Sequence, residues 1–300
     1  MKKHLNNINA SSLFHFTRKF NTLQSIIKNG LRFSFAFEHF SARAISNLDC
    51  PTNPDVVINT YTKEDVGVAI PMISFCDIPL TRTTEHIYKY GEYVIGFDKD
   101  FIIEKFSEII NPVIYIHSKN LKDAFDDISN IYSESHNSLC KQIIDYPDKG
   151  RLQKNNDELK KLTSRYIDRK FFIQFVIGLM KPYGDNNVCF YNEREWRAFI
   201  PNGMDYESEW KFGITKEYYD LNRNDWNIEL SDANYYLTFE KELLTKGITH
   251  IVVRNESQII KMIEIIMNSK KVFGNIGLSE TERLVLTSKI TSFKKIKKDY

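Results

Sequence analysis

At 300 residues the chain is long enough for one elaborated domain, and a core of that size buries roughly three quarters of the surface its unfolded form would expose. Its 42% hydrophobic and 27% charged residues exclude a disordered chain, a fibre or a repeat array, and 41 Lys and Arg against 39 Asp and Glu leave +2, so no global field draws in a polyanion. Cys50, Cys76, Cys140 and Cys189 lie far apart with no CxxC pair, which argues against a disulfide scaffold or a zinc site and for a reducing, cytoplasmic compartment.

The basic start MKKHLNNINASSLF has no apolar segment behind it and does not read as a signal peptide. Leu13 to Phe16 reads as a short strand. A helix follows, with Asn21 as N-cap, an apolar stripe of Leu23, Ile26 and Ile27, and a stop at Gly30. Residues 34–68 read as irregular. Ile70 to Phe75 is a strand broken at Pro71, Thr84 to Tyr90 a helix, Glu92 to Phe97 a strand and Pro112 to His117 another. Residues 118–180 read as a polar helical insertion ending in a buried helix from Phe171 to Met180, too short and too interrupted to span a bilayer, and no membrane partner is expected. From Val188 to Ile200, period-two alternation puts Tyr191, Glu193, Glu195 and Arg197 on one strand face. Ile248 to Val253 is a further strand. A helical extension over about 255–300 closes the chain, with a capping box from Ser279 to Glu282 and a lysine-rich end. No GxGxxG, P-loop or GxSxG motif occurs.

Three islands carry candidate chemistry: Leu13-Phe14-His15-Phe16-Thr17, Ile73-Ser74-Phe75-Cys76-Asp77 and Glu193-Arg194-Glu195-Trp196-Arg197. Each has an ordinary structural reading, as a satisfied strand histidine, strand core and a paired charged face. Taken together, the order strand-His, strand-Ser-Phe, strand-Glu resembles the ADP-ribosyltransferase superfamily. LFHFTRKFNTLQSIIKNGLRFS and NEREWRAF resemble the DarT-type transferases that modify nucleic acids. LFHFT, PMISFCDIPL, KYGEYVIGF, NPVIYI and YNEREWRAF, over most of residues 11–200, resemble the AbiGi family of abortive phage-resistance proteins.

These resemblances imply an α+β fold: one domain over 1–300 with an ADP-ribosyltransferase-like split β core, the helical insertion and C-terminal helices. The transferase resemblance implies a mono-ADP-ribosyltransferase effector of anti-phage defence, using NAD as substrate and no metal. Glu195 would stabilise the cationic sugar centre left when the nicotinamide bond breaks. Glu193 would orient the acceptor, and Arg197 would bind substrate. His15, Phe16 and Thr17 would hold the dinucleotide, with Arg32 on its pyrophosphate, Ser74 bonding nearby and Phe75 stacking on the nicotinamide. Tyr88 and Tyr90 would line the cleft or pack as ordinary aromatics, and the choice between Arg82 and His86 for a further site residue stays open. The acceptor would be RNA or single-stranded DNA, met by basic segments 149–170 and 289–298, and the partner a cognate antitoxin, optionally with a chaperone-like protein. The AbiGi label, antitoxin, implies the alternative: a non-catalytic regulatory partner that keeps the fold. A third reading, Glu193 and Glu195 as a magnesium-binding hydrolase pair, lacks further carboxylates and is disfavoured by Arg197 beside them.

Overall fold

A computed structural model describes residues 10–39, 66–120, 178–184, 189–200 and 210–299, with scattered positions between 123 and 168. The chain opens with β1 (Ser12–Thr17), α1 (Phe20–Asn29), β2 (Leu31–Arg32), β3 (Ser34–His39) and β4 (Val66–Cys76). Next come a 3-10 turn (Leu80–Arg82), α2 (Thr84–Tyr90), β5 (Tyr93–Asp98), α3 (Lys99–Lys105), β6 (Ile110–Pro112), β7 (Ile114–Ile116) and β8 (Met180–Pro182). A 3-10 turn (Phe190–Glu193) leads into β9 (Glu195–Phe199), β10 (Lys211–Thr215), α4 (Lys216–Asp232), β11 (Tyr236–Leu237), α5 (Lys241–Gly247) and β12 (Ile248–Val253). The last elements are α6 (Glu256–Asn268), β13 (Lys271–Val272), β14 (Asn275–Ile276), α7 (Glu280–Thr287), β15 (Ile290–Ser292) and α8 (Phe293–Asp299).

The main sheet runs β15-β12-β5-β1-β4-β9-β6, with β3 and β10 also paired to β4. Within it β12 and β15 are parallel and the other pairs antiparallel. Alternation along the strands sends side chains to two different cores. Leu13, Ile95, Phe97, Ile251 and Val253 meet Leu23, Ile26 and Ile27 of α1 and Met262 and Ile266 of α6 on one face. Phe14, Val94 and Val252 meet Phe293 of α8 on the other. Each fully buried aliphatic or phenyl side chain contributes roughly 1.5–3 kcal/mol of transfer free energy, so the helices are held by packing on the sheet. The product is an α+β fold.

β1 and β4 pair only at Phe14 and Cys76, whereas β1 pairs with β5 along its whole length and β4 pairs with β9 from Met72 to Cys76. The sheet therefore parts between β1 and β4. Gly30 closes the first helix beside this split with φ +96°, and a Cβ there would lie 2.7 Å from the Leu237 carbonyl oxygen.

Several expectations are corrected. The stretch read as irregular from residue 34 begins as β3, which pairs with β4 from Ser34–Met72 to His39–Gly67; residues 40–65 lie outside the described ones. Pro71 does not break β4. Its carbonyl accepts from the Ile200 amide, so its nitrogen faces the Ile200 carbonyl, which accepts from Trp210 Nε1 at 2.9 Å in place of the missing N–H. Pro112 to His117 is two strands, because β6 pairs with β9 while β7 pairs with β8. Tyr191 and Glu193 are not on a strand: Phe190–Glu193 is a 3-10 turn and Arg194 is left-handed at φ 41°. The described positions between 123 and 168 are helical. Residues 171–177 and most of the basic segment 149–170 lie outside the described residues; Gly178 and Leu179 are helical, but the helix expected to run to Met180 stops short of it, because Met180 opens β8. Among the described residues no helix is long and apolar enough to cross a membrane.

Candidate functional site

The split holds a cavity of about 370 Å³. β1 supplies His15 and Phe16, β2 Arg32, β4 Ser74 and Phe75, α2 His86 and Tyr90, and the turn into β9 Glu193 and Glu195. His15 and Glu195, 180 positions apart, thus open onto one cleft. Two expected residues do not line it. Thr17 ends β1 opposite Tyr93, and Arg197 is wholly buried behind Glu195. Tyr88 points away from the fold at 96% exposed.

The far end of the cavity is a network of charges. Glu195 Oε1 accepts from Ser74 Oγ at 2.8 Å and from Arg197 Nε at 2.8 Å. Its Oε2 accepts from Lys181 Nζ at 2.9 Å and Arg197 Nη2 at 3.2 Å. A carboxylate offers about four acceptor sites, and the protein's own donors occupy all of them. Glu193 accepts from Lys89 and Tyr90 on one oxygen and from Lys181 on the other, the last at 2.6 Å. Arg197 also donates to Glu38 at 2.9 Å and to the Gly178 carbonyl at 2.8 Å. Glu38, Glu193 and Glu195 balance Lys89, Lys181 and Arg197, three charges against three, so the cluster, buried at its centre and exposed at Lys89, is formally neutral.

The titration of these groups follows from that pairing. Burial pushes the Glu195 carboxyl up, but the Arg197 and Lys181 charges overcome it and hold the group at about 2. Burial likewise raises Glu193, and Lys181 and Lys89 outweigh it to leave the group below its ordinary value. Burial lowers His15 and outweighs its bond to the Ser74 carbonyl. That carbonyl only accepts, so the His15 Nδ1 bonded to it at 2.9 Å carries the proton and Nε2 carries the lone pair. Burial, with the nearby carboxylates, raises the Cys76 thiol to about 12, which makes it inert as a nucleophile.

This geometry corrects two expected roles. Arg197 is no surface for substrate, because its guanidinium is consumed by Glu195, Glu38 and a carbonyl. Phe75 is 2% exposed, with its ring edge-on to His15 and to Phe97, so it offers a ligand little face. The site also contains Lys181, Glu38 and Tyr115, which no sequence motif singles out. Lys181 reaches the glutamates because β8 pairs with β7, and the Tyr115 hydroxyl on β7 accepts from the Glu195 amide at 2.8 Å. Only alternation in PVIYIH hinted that Tyr115 and His117 share a face. Among the described residues no cluster of three His, Cys, Asp or Glu could hold a metal.

Residues 51–252 match the family model described as "Putative abortive phage resistance protein AbiGi, antitoxin". The chain belongs to the AbiGi family. It is 28% identical over 255 residues to an abortive phage resistance protein AbiGi of Lactococcus lactis subsp. cremoris, covering 77% of this chain and 89% of that protein. No solved structure matches. Membership of the AbiGi family places the chain in antiviral defence by abortive infection, in a toxin–antitoxin setting, and the description as an antitoxin points to a toxin as partner in place of the expected antitoxin and gives no support to a nucleic-acid substrate. It also overturns the main expectation for function: the family is described as an antitoxin, not as a transferase effector that modifies nucleic acid.

Proposed function

We propose that the chain is the non-catalytic, toxin-neutralising partner of an abortive-infection pair. The observation that carries this reading is the saturated Glu195 carboxylate. A residue that must grip a reacting sugar needs a free acceptor, and here a ligand hydroxyl gains one only by displacing Ser74, Lys181 or Arg197. Displacing either cation would pull buried opposite charges apart, leaving Lys181 with Glu193 alone or Arg197 with Glu38 alone, at a cost of about a few kcal/mol. The cluster does the work of a structural keystone, fixing β3, β4, β8 and β9 around one point.

The test is co-expression with the cognate toxin. The chain restores growth and co-purifies with the toxin, and a Ser74→Ala variant does so equally well. A toxin that stays active and elutes alone, with the chain soluble, contradicts the proposal.

The cavity supports a second, separate proposal: NAD binding without turnover. Its volume lies in the range of small-molecule sites, and it is lined largely by apolar and aromatic side chains with a few polar groups. Millimolar NAD then raises the melting temperature of the full chain, and a large side chain at Ala36 abolishes the rise. An unchanged melting temperature removes NAD as the ligand.

A further inference from the structure

We infer that α8 presents a docking face for the phosphate backbone of a nucleic acid, which is bound and not modified. Four lysines, Lys294, Lys295, Lys297 and Lys298, lie on this helix. At helical spacing they share an arc of about 160°, and all four are exposed. The residues that face the other way are apolar and already used: Phe293 is buried among Phe14, Val94 and Val252, and Ile296 packs against the same cluster. The helix is thereby pinned with its cationic face outward. Asp299 is the one acidic residue on the helix. Arg254 lies beside it, since its carbonyl accepts from the Lys294 amide, and Arg254 itself holds Glu92 at 2.9 Å. The 3-10 turn ending in Arg82 joins the same side, with its Leu80 in the Phe293 cluster. Lys289, expected on this basic surface, is excluded from it: its amine is spent on the carbonyls of Thr245 and Ile248.

The chemistry of this face favours a phosphodiester chain over the other polyanions. An amphipathic helix seated on a membrane must bury an apolar face in the lipid, and the apolar side of α8 is committed to the core. Stable protein interfaces are depleted in lysine and anchored by aromatic or Arg residues, whereas the exposed side chains described on α8 itself are all lysines, and the neighbouring Arg254 is held by Glu92. A row of lysine point charges suits sequence-independent contact with phosphates, with release of their counterions.

The test uses the full chain, a labelled mixed-sequence DNA duplex and a labelled RNA of equal length, followed by fluorescence anisotropy. Four phosphate contacts predict an affinity for at least one probe that falls roughly 10²-fold between about 50 and about 200 mM salt. A variant with Lys294, Lys295, Lys297 and Lys298 all changed to Gln loses most of that binding and most of the salt slope. A control that removes four charges elsewhere, Lys28→Gln, Lys246→Gln, Lys261→Gln and Lys270→Gln, keeps both. These control lysines are exposed and sit on α1, on α5 and at α6, helices that pack on the other face of the sheet. The proposal is overturned by absence of binding at low salt, by equal weakening in the two variants, or by α8-dependent binding to anionic lipid vesicles in preference to either nucleic acid.

Discussion

Glu195 concentrates the physics of this protein in one side chain. Held at about 2 against an ordinary 4.5, it binds fewer protons folded than unfolded. Its contribution to stability is therefore fully present above about 4.5 and is lost as pH falls toward 2, on the order of 3 kcal/mol in all. Glu193 acts with the same sign. His15, His86 and His250 are lowered by burial, so the unfolded chain takes up protons first as pH drops below 6.5, and they erode stability earlier than the carboxylates. Urea unfolding midpoints are expected to fall in two stages, beginning below 6.5 and steepening below 4.5, and His15→Gln should flatten the first. Glu195→Gln leaves Arg197 and Lys181 short of a counter-charge and should cost about 3–5 kcal/mol at neutral pH, read as a lower urea midpoint at unchanged slope. His15, Ser74 and Glu195 were legible in the sequence as candidates because each sits in a short aromatic or charged strand motif. Their saturation was not, because Lys181 and Glu38 arrive from remote strands that no local pattern ties to Glu195.

Among the elements, β5 shows how tightly the sheet is drawn. Gly96 faces Phe14 across one neighbour and His250 across the other, and a Cβ there would lie 2.8 Å from the Phe14 ring. Both neighbours are strand residues held by their own ladders, so Gly96→Ala should cost about 1–3 kcal/mol through overpacking, seen as a lower melting temperature with the fold retained. At the start of α7 the Ser279 hydroxyl accepts from the Glu282 amide while the Glu282 carboxylate accepts from the Ser279 amide. Ser279→Ala should cost about 1 kcal/mol. The capping box was legible because its signal is local, as were the apolar stripe and Gly30 stop of α1. The turn before Glu195 was not. Alternation alone extends a strand back to Val188, and only the left-handed Arg194, whose carbonyl accepts from the Asp77 amide, shows where β9 starts.

At the scale of the whole molecule, the split sheet, the buried cluster and the cationic α8 divide the work. The split forms the cavity, the cluster locks its inner end, and α8 turns four lysines outward. A protein that neutralises a toxin should be harmless by itself, and one that spends a host metabolite should not. The most direct measurement is growth of a phage-sensitive host on inducible expression of this chain alone, wild type beside Glu195→Gln at matched soluble levels. Unimpaired growth with both is the predicted result. Growth arrest by the wild type that Glu195→Gln relieves would contradict the account.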